Sequence, residues 1–170
     1  MIGDFGKKVY FYSRYRIKLE KCMRLILFVC GTNRSRSPMA AAYFASLIKS
    51  RNIQDVEVAS AGLSVHHGDS LYQETRQVLS NHGLTPLAIG AVLLLPKLVR
   101  AAELIICMTG RQQEIIEGKF PSAIGKCRPL NAVLKEDMPI AEPAKGSLKD
   151  YERCFESMLP ALDKLAEIIE

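Results

Sequence analysis

RLILFVCGTNRSRSPMAAAYFASLIKS, residues 24–50, is the stretch that decides the fold. From Arg24 to Cys30 it runs almost without interruption in apolar residues, the pattern of a strand buried on both faces of a parallel sheet. Gly31 to Ser37 is polar. Pro38 then suits a first helical turn, and the alanines, methionine and leucine behind it are good helix formers. A buried strand that passes through a short polar loop into a helix puts that loop at the carboxyl edge of a sheet, where open α/β folds bind their ligands.

The rest of the chain repeats the alternation. Val56 to Ser60 reads as a second strand, ended by Ala61 and Gly62. Ser70 to Asn81 carries Leu71, Val78 and Leu79 at roughly helical spacing, with Gly83 as a stop. A helix is expected around Ala91 to Ala101, a third buried strand from Glu103 to Met108, and a short helix from Gly110 to Glu117. Lys126 to Leu130 gives a fourth strand, and Asn131 to Gly146 a loop with two prolines. A long amphipathic helix fills Ser147 to Glu170, with Ser147 at its N-cap and Asp150 at the capping-box position. The expected fold is therefore α/β, a three-layer open sheet of about four parallel strands with helices on both faces and a phosphate-binding loop after the first strand. No internal repeat interrupts it, and no Gly-x-Gly-x-x-Gly suggests a dinucleotide.

With 170 residues, 48% of them hydrophobic and 24% charged, the chain has the composition of one globular domain. Its net charge of +5 is unevenly placed: residues 1–22 hold six Lys/Arg against two acids, and residues 23–170 hold seventeen against sixteen. The basic balance belongs to the leader and gives no reason to expect a nucleic-acid partner for the domain. The leader contains no apolar run long enough for a signal-peptide core or a membrane span. Met23 stands directly before the first strand, which favours a start-site artefact for residues 1–22 over a basic tail that touches an anionic surface. The domain is expected over 23–170. Five cysteines without paired spacing fit a reducing, cytoplasmic setting better than a disulfide framework. Cys22, Cys107, Cys127 and Cys154 lie far apart without nearby histidine, so neither a zinc site nor any other cofactor is expected.

The chemistry lies in the loop, where Cys30 and Arg36 are separated by five residues. A bare Cys-x5-Arg is usually a core thiol and a solvated arginine. Here the strand before, the Ser-Pro after and the helix beyond argue otherwise. Backbone amides of Gly31, Thr32, Asn33, Arg34 and Ser35 can turn inward around an oxyanion, and the helix adds its positive end. Arg36 can grip two phosphate oxygens with its planar fork. The same field favours a thiolate at Cys30, the useful nucleophile. Attack on phosphorus would give a phosphocysteine that water later hydrolyses, and no metal is required if Arg36 and the amides carry the phosphoryl charge.

These residues resemble the low-molecular-weight protein-tyrosine phosphatases, whose bacterial members include protein-arginine phosphatases. The likeness runs from Met23 to Glu170 and includes LFVCGTNRSRSPMA, VASAGL at 58–63, NHGL at 81–84, ELIICMT at 103–109 and GSLKDYERC at the last helix. The resemblance implies a phosphoprotein substrate, Cys30 as nucleophile and Arg36 as phosphate clamp. It also implies that Ser37 hydrogen-bonds the sulfur, that Asn33 sits in a left-handed turn, and that Ser60 braces the loop.

The pattern departs from that family in several places. The usual Asp-Pro acid is absent. Glu142-Pro143 stands in its place, which makes Glu142 the candidate general acid and Asp137 the alternative. One methylene displaces the proton by about a bond length, and misplacement of about one ångström costs on the order of a hundredfold. The aromatic that follows the proline in many members is Ala144, so a weaker grip on phosphotyrosine is expected. Gly31 and Thr32 stand where the family has any residue and then glycine, and a supporting histidine is replaced by Ala88. Arg34 occupies the wall position tied to tyrosine or arginine preference, and its charge is expected to disfavour phosphoarginine. Ser35 replaces a second loop cysteine, so peroxide is expected to drive Cys30 further up the oxidation ladder. His66 and His67 read as surface residues, His82 as a helix end, and Tyr151 as an exposed helix residue without a site role. Three functions follow: a protein-tyrosine phosphatase, with an arginine phosphatase as variant; a phosphate-binding pseudophosphatase; and an arsenate reductase, which needs resolving cysteines that Cys107 lacks nearby.

Overall fold

A computed structural model describes residues 23–143 and 146–170. The leader and Ala144, on which expectations were placed above, lie outside the described residues. The strands are β1 (Arg24–Cys30), β2 (Val56–Gly62), β3 (Ala102–Cys107) and β4 (Cys127–Pro129). The helices are α1 (Arg36–Ser50), α2 (Gln73–Asn81), α3 (Pro96–Ala101), α4 (Gly110–Lys119) and α5 (Leu148–Ile169), with 3-10 turns at Pro121–Ala123 and Leu130–Leu134.

All strand pairings are parallel, in the order β2-β1-β3-β4. The chain leaves β1 toward one edge and returns to its other side with β3, so the strand order reverses beside β1, where such sheets form their ligand crevice. Alternation along β1 divides the core. Ile26, Phe28 and Cys30 face a layer built from α1, α2 and α5, while Leu27 and Val29 face α3, α4 and the Pro121–Ala123 turn. Phe28 meets Phe44 edge-on at 5.3 Å, and Tyr43 meets Phe155 at 5.8 Å, which fixes α1 between the sheet and α5. Cys30 thus ends a strand that is buried from Ile26 onward, with its side chain on the α1 and α5 side.

Several boundaries differ from the reading of the sequence. The helix expected from Ala91 is confined to Pro96–Ala101. Proline disfavours a helical conformation in the residue before it, and the backbone of 91–95 is engaged elsewhere. Gly62 donates to the Val92 carbonyl, Leu94 donates to the Gly62 carbonyl, and both bonds measure 2.8 Å. The segment therefore runs as a strap along the end of β2, which itself extends to Gly62. Likewise α2 begins only at Gln73, because the Tyr72 amide donates to the Arg34 carbonyl at 3.1 Å. At α5, Asp150 accepts from both the Ser147 amide and its hydroxyl, at 2.7 and 2.9 Å, so aspartate serves the reciprocal half of the cap.

Candidate active site

The loop of residues 31–35 joins β1 to α1, and its shape is fixed by one buried asparagine. Asn33 has φ of 55°, a left-handed conformation that asparagine tolerates better than most residues. Its Nδ2 donates to Ser37 Oγ and Ser60 Oγ, each at 2.9 Å, and its Oδ1 accepts from the Val92 amide at 2.7 Å. The strap at 91–95 thereby supports Asn33, although Ala88 stands where the family has a supporting histidine. Gly62 completes the support: a Cβ there would lie 2.7 Å from both the Asn33 amide nitrogen and the Thr32 carbonyl carbon, so only glycine lets β2 press against the loop.

This scaffold aims donors at sulfur. Cys30 Sγ accepts from the Asn33 amide at 3.3 Å and from Ser37 Oγ at 3.0 Å. Because Ser37 Oγ accepts from Asn33, its single proton is directed to Sγ or to the Ala61 carbonyl at 3.3 Å. Two donors and the start of α1 converge on one sulfur.

Arg36 is buried, with 6% of its side chain exposed. Its Nη1 donates to the Ile140 carbonyl at 3.1 Å, and its Nη2 lies 3.3 Å from Glu142 Oε2. Its Nε is buried without a partner among the described residues. Residues 140–142 are fixed from both sides: the Ile140 amide donates to the Met108 carbonyl at 2.9 Å, and Cys154 Sγ donates to the Ala141 carbonyl at 3.4 Å. Burial pushes the Cys154 thiol up to about 11, so it remains a neutral donor. Glu142, rather than Asp137, is the carboxylate that the fold brings to Arg36, and it is half-exposed.

A cleft of about 450 Å³ opens beside the loop, with Ser35, Tyr72, Glu74, Glu142 and Tyr151 among its walls. Tyr72 and Tyr151 meet edge-on with ring centres 6.3 Å apart. Tyr151, expected to be exposed and without a role, is only 4% exposed and forms part of this wall. It stands on the buried stripe of α5, and counting that stripe back from Phe155 and Cys154 was the sequence signal for it.

Arg34 does not offer a free cation here. Its guanidinium lies over the Tyr72 ring at 4.1 Å, its Nε donates to the Ser70 carbonyl at 2.7 Å, and Nη1 is 3.6 Å from Asp69. What Arg34 gives the loop is its carbonyl, which accepts from the Tyr72 amide and from Thr75 Oγ1. Gly31 is pinned through its carbonyl by the Ser64 amide at 2.9 Å, and the Thr32 hydroxyl is buried without a partner among the described residues.

The family model for low molecular weight phosphotyrosine protein phosphatase matches residues 25–170, all of the sheet and the loop. The chain belongs to that family. Among curated relatives of this phosphatase is a protein-arginine-phosphatase of Geobacillus stearothermophilus, 31% identical over 146 residues, covering 85% of this chain and 95% of the relative. A probable low molecular weight protein-tyrosine-phosphatase, EpsP of Ralstonia nicotianae, is 30% identical over 141 residues and covers 83% and 92%. Among solved structures, a mutant of Bacillus subtilis YwlE superimposes with a TM-score of 0.80 at 28% identity, covering 86% of this chain and 98% of that one. The enzymes of this family are cysteine-dependent hydrolases acting on phosphoproteins, and this phosphatase domain has the four-stranded parallel sheet and the phosphate-loop position that membership requires. No helix of the described residues is long and apolar enough to cross a membrane.

Proposed function

We propose that the chain hydrolyses phosphotyrosine in proteins through a phosphocysteine on Cys30. The observation that supports this most strongly is the sulfur itself, held by the Asn33 amide and the Ser37 hydroxyl at the mouth of the loop, together with a buried guanidinium that retains an unpartnered N–H.

In the first step Cys30 Sγ attacks phosphorus as the bond to the leaving oxygen breaks. The loop amides and Arg36 share the charge on the phosphoryl oxygens, and Glu142 gives its proton to the departing oxygen. In the second step water attacks the phosphocysteine and passes a proton to the Glu142 carboxylate. The P–S bond breaks, and inorganic phosphate and the cysteine anion are released. Ser37 serves both steps as a donor to sulfur, since the sulfur is most negative before attack and again as it departs. Cys154 and Met108 act by positioning the 140–142 segment rather than by touching substrate.

Turnover of para-nitrophenyl phosphate by the wild type, Cys30→Ser and Glu142→Gln tests the assignment. Loss of turnover in the cysteine variant and an altered acid limb in the glutamate variant are expected. An inert wild type that still binds vanadate would leave a phosphate-binding pseudophosphatase instead. Phosphoarginine is a second substrate reading, supported by the named activity of the Geobacillus relative and by the placement of Arg34, whose charge is met by Asp69 and Ser70 rather than turned to the cleft. Phosphate release from phosphoarginine and phosphotyrosine presented on the same protein separates the two, and an Arg34→Thr variant with an unchanged ratio shows that Arg34 does not set the preference.

A further inference from the structure

The cleft beside the loop contains a carboxylate that the reaction above does not use. Glu74 stands in the first turn of α2, is half-buried, and makes no hydrogen bond or ion pair among the described residues. Its carboxylate lines the cleft with its acceptor capacity unused among the described residues, open to a cation that arrives from outside. Tyr151, which lines the same cleft, is 4% exposed, and its hydroxyl likewise has no hydrogen-bond partner among the described residues. The two groups line the same cleft, together with Glu142. Tyr151 is held above its ordinary range first by burial and then by the negative charge of Glu74, with Tyr72 and Glu142 adding to it and Arg34 opposing it. Tyr151 therefore stays a neutral hydroxyl with lone pairs to offer. Among the described residues of the wall there is no lysine or arginine, and Arg34 below is stacked on Tyr72 and tied to Asp69 and Ser70.

We propose that Glu74, with the hydroxyl of Tyr151, forms a subsite for a positively charged side chain of the substrate, so that phosphopeptides with lysine or arginine beside the phosphorylated residue are preferred over those with acidic neighbours. The phosphoryl group lies in the loop near Ser35, the substrate ring rests against the Tyr72 and Tyr151 rings where they line the cleft, and the neighbouring ammonium or guanidinium reaches the Glu74 carboxylate and the Tyr151 oxygen. Both accept hydrogen bonds from a cation, and neither can offer an acidic side chain more than one O–H. This subsite rests on the phosphatase reading of the loop.

Binding, rather than turnover, tests it. Fluorescent phosphotyrosine peptides that differ only in lysine or glutamate next to the phosphotyrosine are titrated against the full chain carrying Cys30→Ser, with and without Glu74→Gln, Glu74→Lys or Tyr151→Phe. The single variant is expected to bind the lysine peptide about fivefold more tightly at low ionic strength, the upper range for a partly exposed ion pair, and the preference should shrink as salt is added. Glu74→Gln should bring the ratio close to one, Glu74→Lys should reverse it, and Tyr151→Phe, which keeps the ring, should reduce it. A ratio near one in the single variant, or one that Glu74→Lys leaves unchanged, overturns the proposal, as does failure of both peptides to bind. Para-nitrophenyl phosphate turnover by the wild type, measured alongside, shows whether the phosphatase reading failed with it.

Discussion

Replacing Asn33 with alanine should cost about as much stability as any single change in this loop, and its parts can be worked out separately. The residue is 1% exposed, at φ of 55°, and makes three side-chain hydrogen bonds. Loss of Oδ1 leaves the Val92 amide buried and unpaired, at about 1–3 kcal/mol. Loss of the two Nδ2 bonds removes about 1 kcal/mol each, because both serine hydroxyls survive with other partners or water. Alanine in a left-handed conformation adds about 1 kcal/mol. The sum of about 4–6 kcal/mol is a large share of the roughly 5–15 kcal/mol available to a domain. In urea, with a slope of about 2 kcal/mol/M, the midpoint should fall by about 2–3 M without a change in slope. Asn33→Gly separates the backbone from the hydrogen bonds: it should recover only the left-handed cost, about 1 kcal/mol. A loss below about 1 kcal/mol for Asn33→Ala, or full recovery by glycine, would refute the reasoning that the three hydrogen bonds hold the loop.

The remaining expectations can be stated briefly. Glu142→Gln should slow phenyl phosphate, whose leaving oxygen needs a proton, by about a hundredfold or more, and para-nitrophenyl phosphate much less, as measured by kcat/KM, which covers only the steps up to departure of the phenol. Gly62→Ala drives a Cβ to within 2.7 Å of loop backbone and should destabilise by about 1–3 kcal/mol while weakening inorganic phosphate binding, read by calorimetry of both unfolding and titration. For Glu152, burial alone would raise the carboxyl, but hydrogen bonds from Asn81 and His82 and the charge of His82 bring it below its ordinary range. Its stabilising contribution is therefore present above the unfolded value near 4.5 and lost as pH falls through the lower folded value, so the stability gap between wild type and Glu152→Gln should close on acidification below about pH 4.5. A gap that widens instead would show that the carboxyl is raised.

What the sequence disclosed follows a physical division. The strand, loop and helix of residues 24–50 were legible because burial on both faces of β1 and the helix formers after Pro38 are local signals. Cys30, Asn33, Arg36 and Ser37 stood in that local frame, and the structure brings them together with Ser60 as the resemblance implied. The strap at 91–95 was hidden because its conformation is set by Gly62 and Asn33, residues about thirty and sixty positions away. Arg34 was read as a free charge because nothing in its own neighbourhood announces Tyr72, Ser70 or Asp69. Gly62 was read as the stop of a strand, whereas its absent side chain is what admits the phosphate loop.

If Glu142 is the general acid proposed above, its pairing with Arg36 and that role are incompatible at one moment, and the geometry orders them. It lies 3.3 Å from Arg36 Nη2, the same group that a phosphoryl oxygen would take. The pair is weak: its carboxylate is 48% exposed, which limits its worth to about 0–1 kcal/mol. A phosphoryl dianion that accepts two parallel N–H bonds from the guanidinium, and more from the loop amides, outcompetes it easily. Displacement frees the carboxylate at the substrate side of Arg36, still held by a segment that Ile140 and Ala141 pin to Met108 and Cys154. Moved away from its cation, the carboxyl stands on the side of Arg36 where the proposed acid would have to meet the leaving oxygen. On that proposal the substrate itself releases the group that its cleavage needs, and the longer side chain of glutamate, which looked like a defect beside the family's aspartate, would let one group reach both positions.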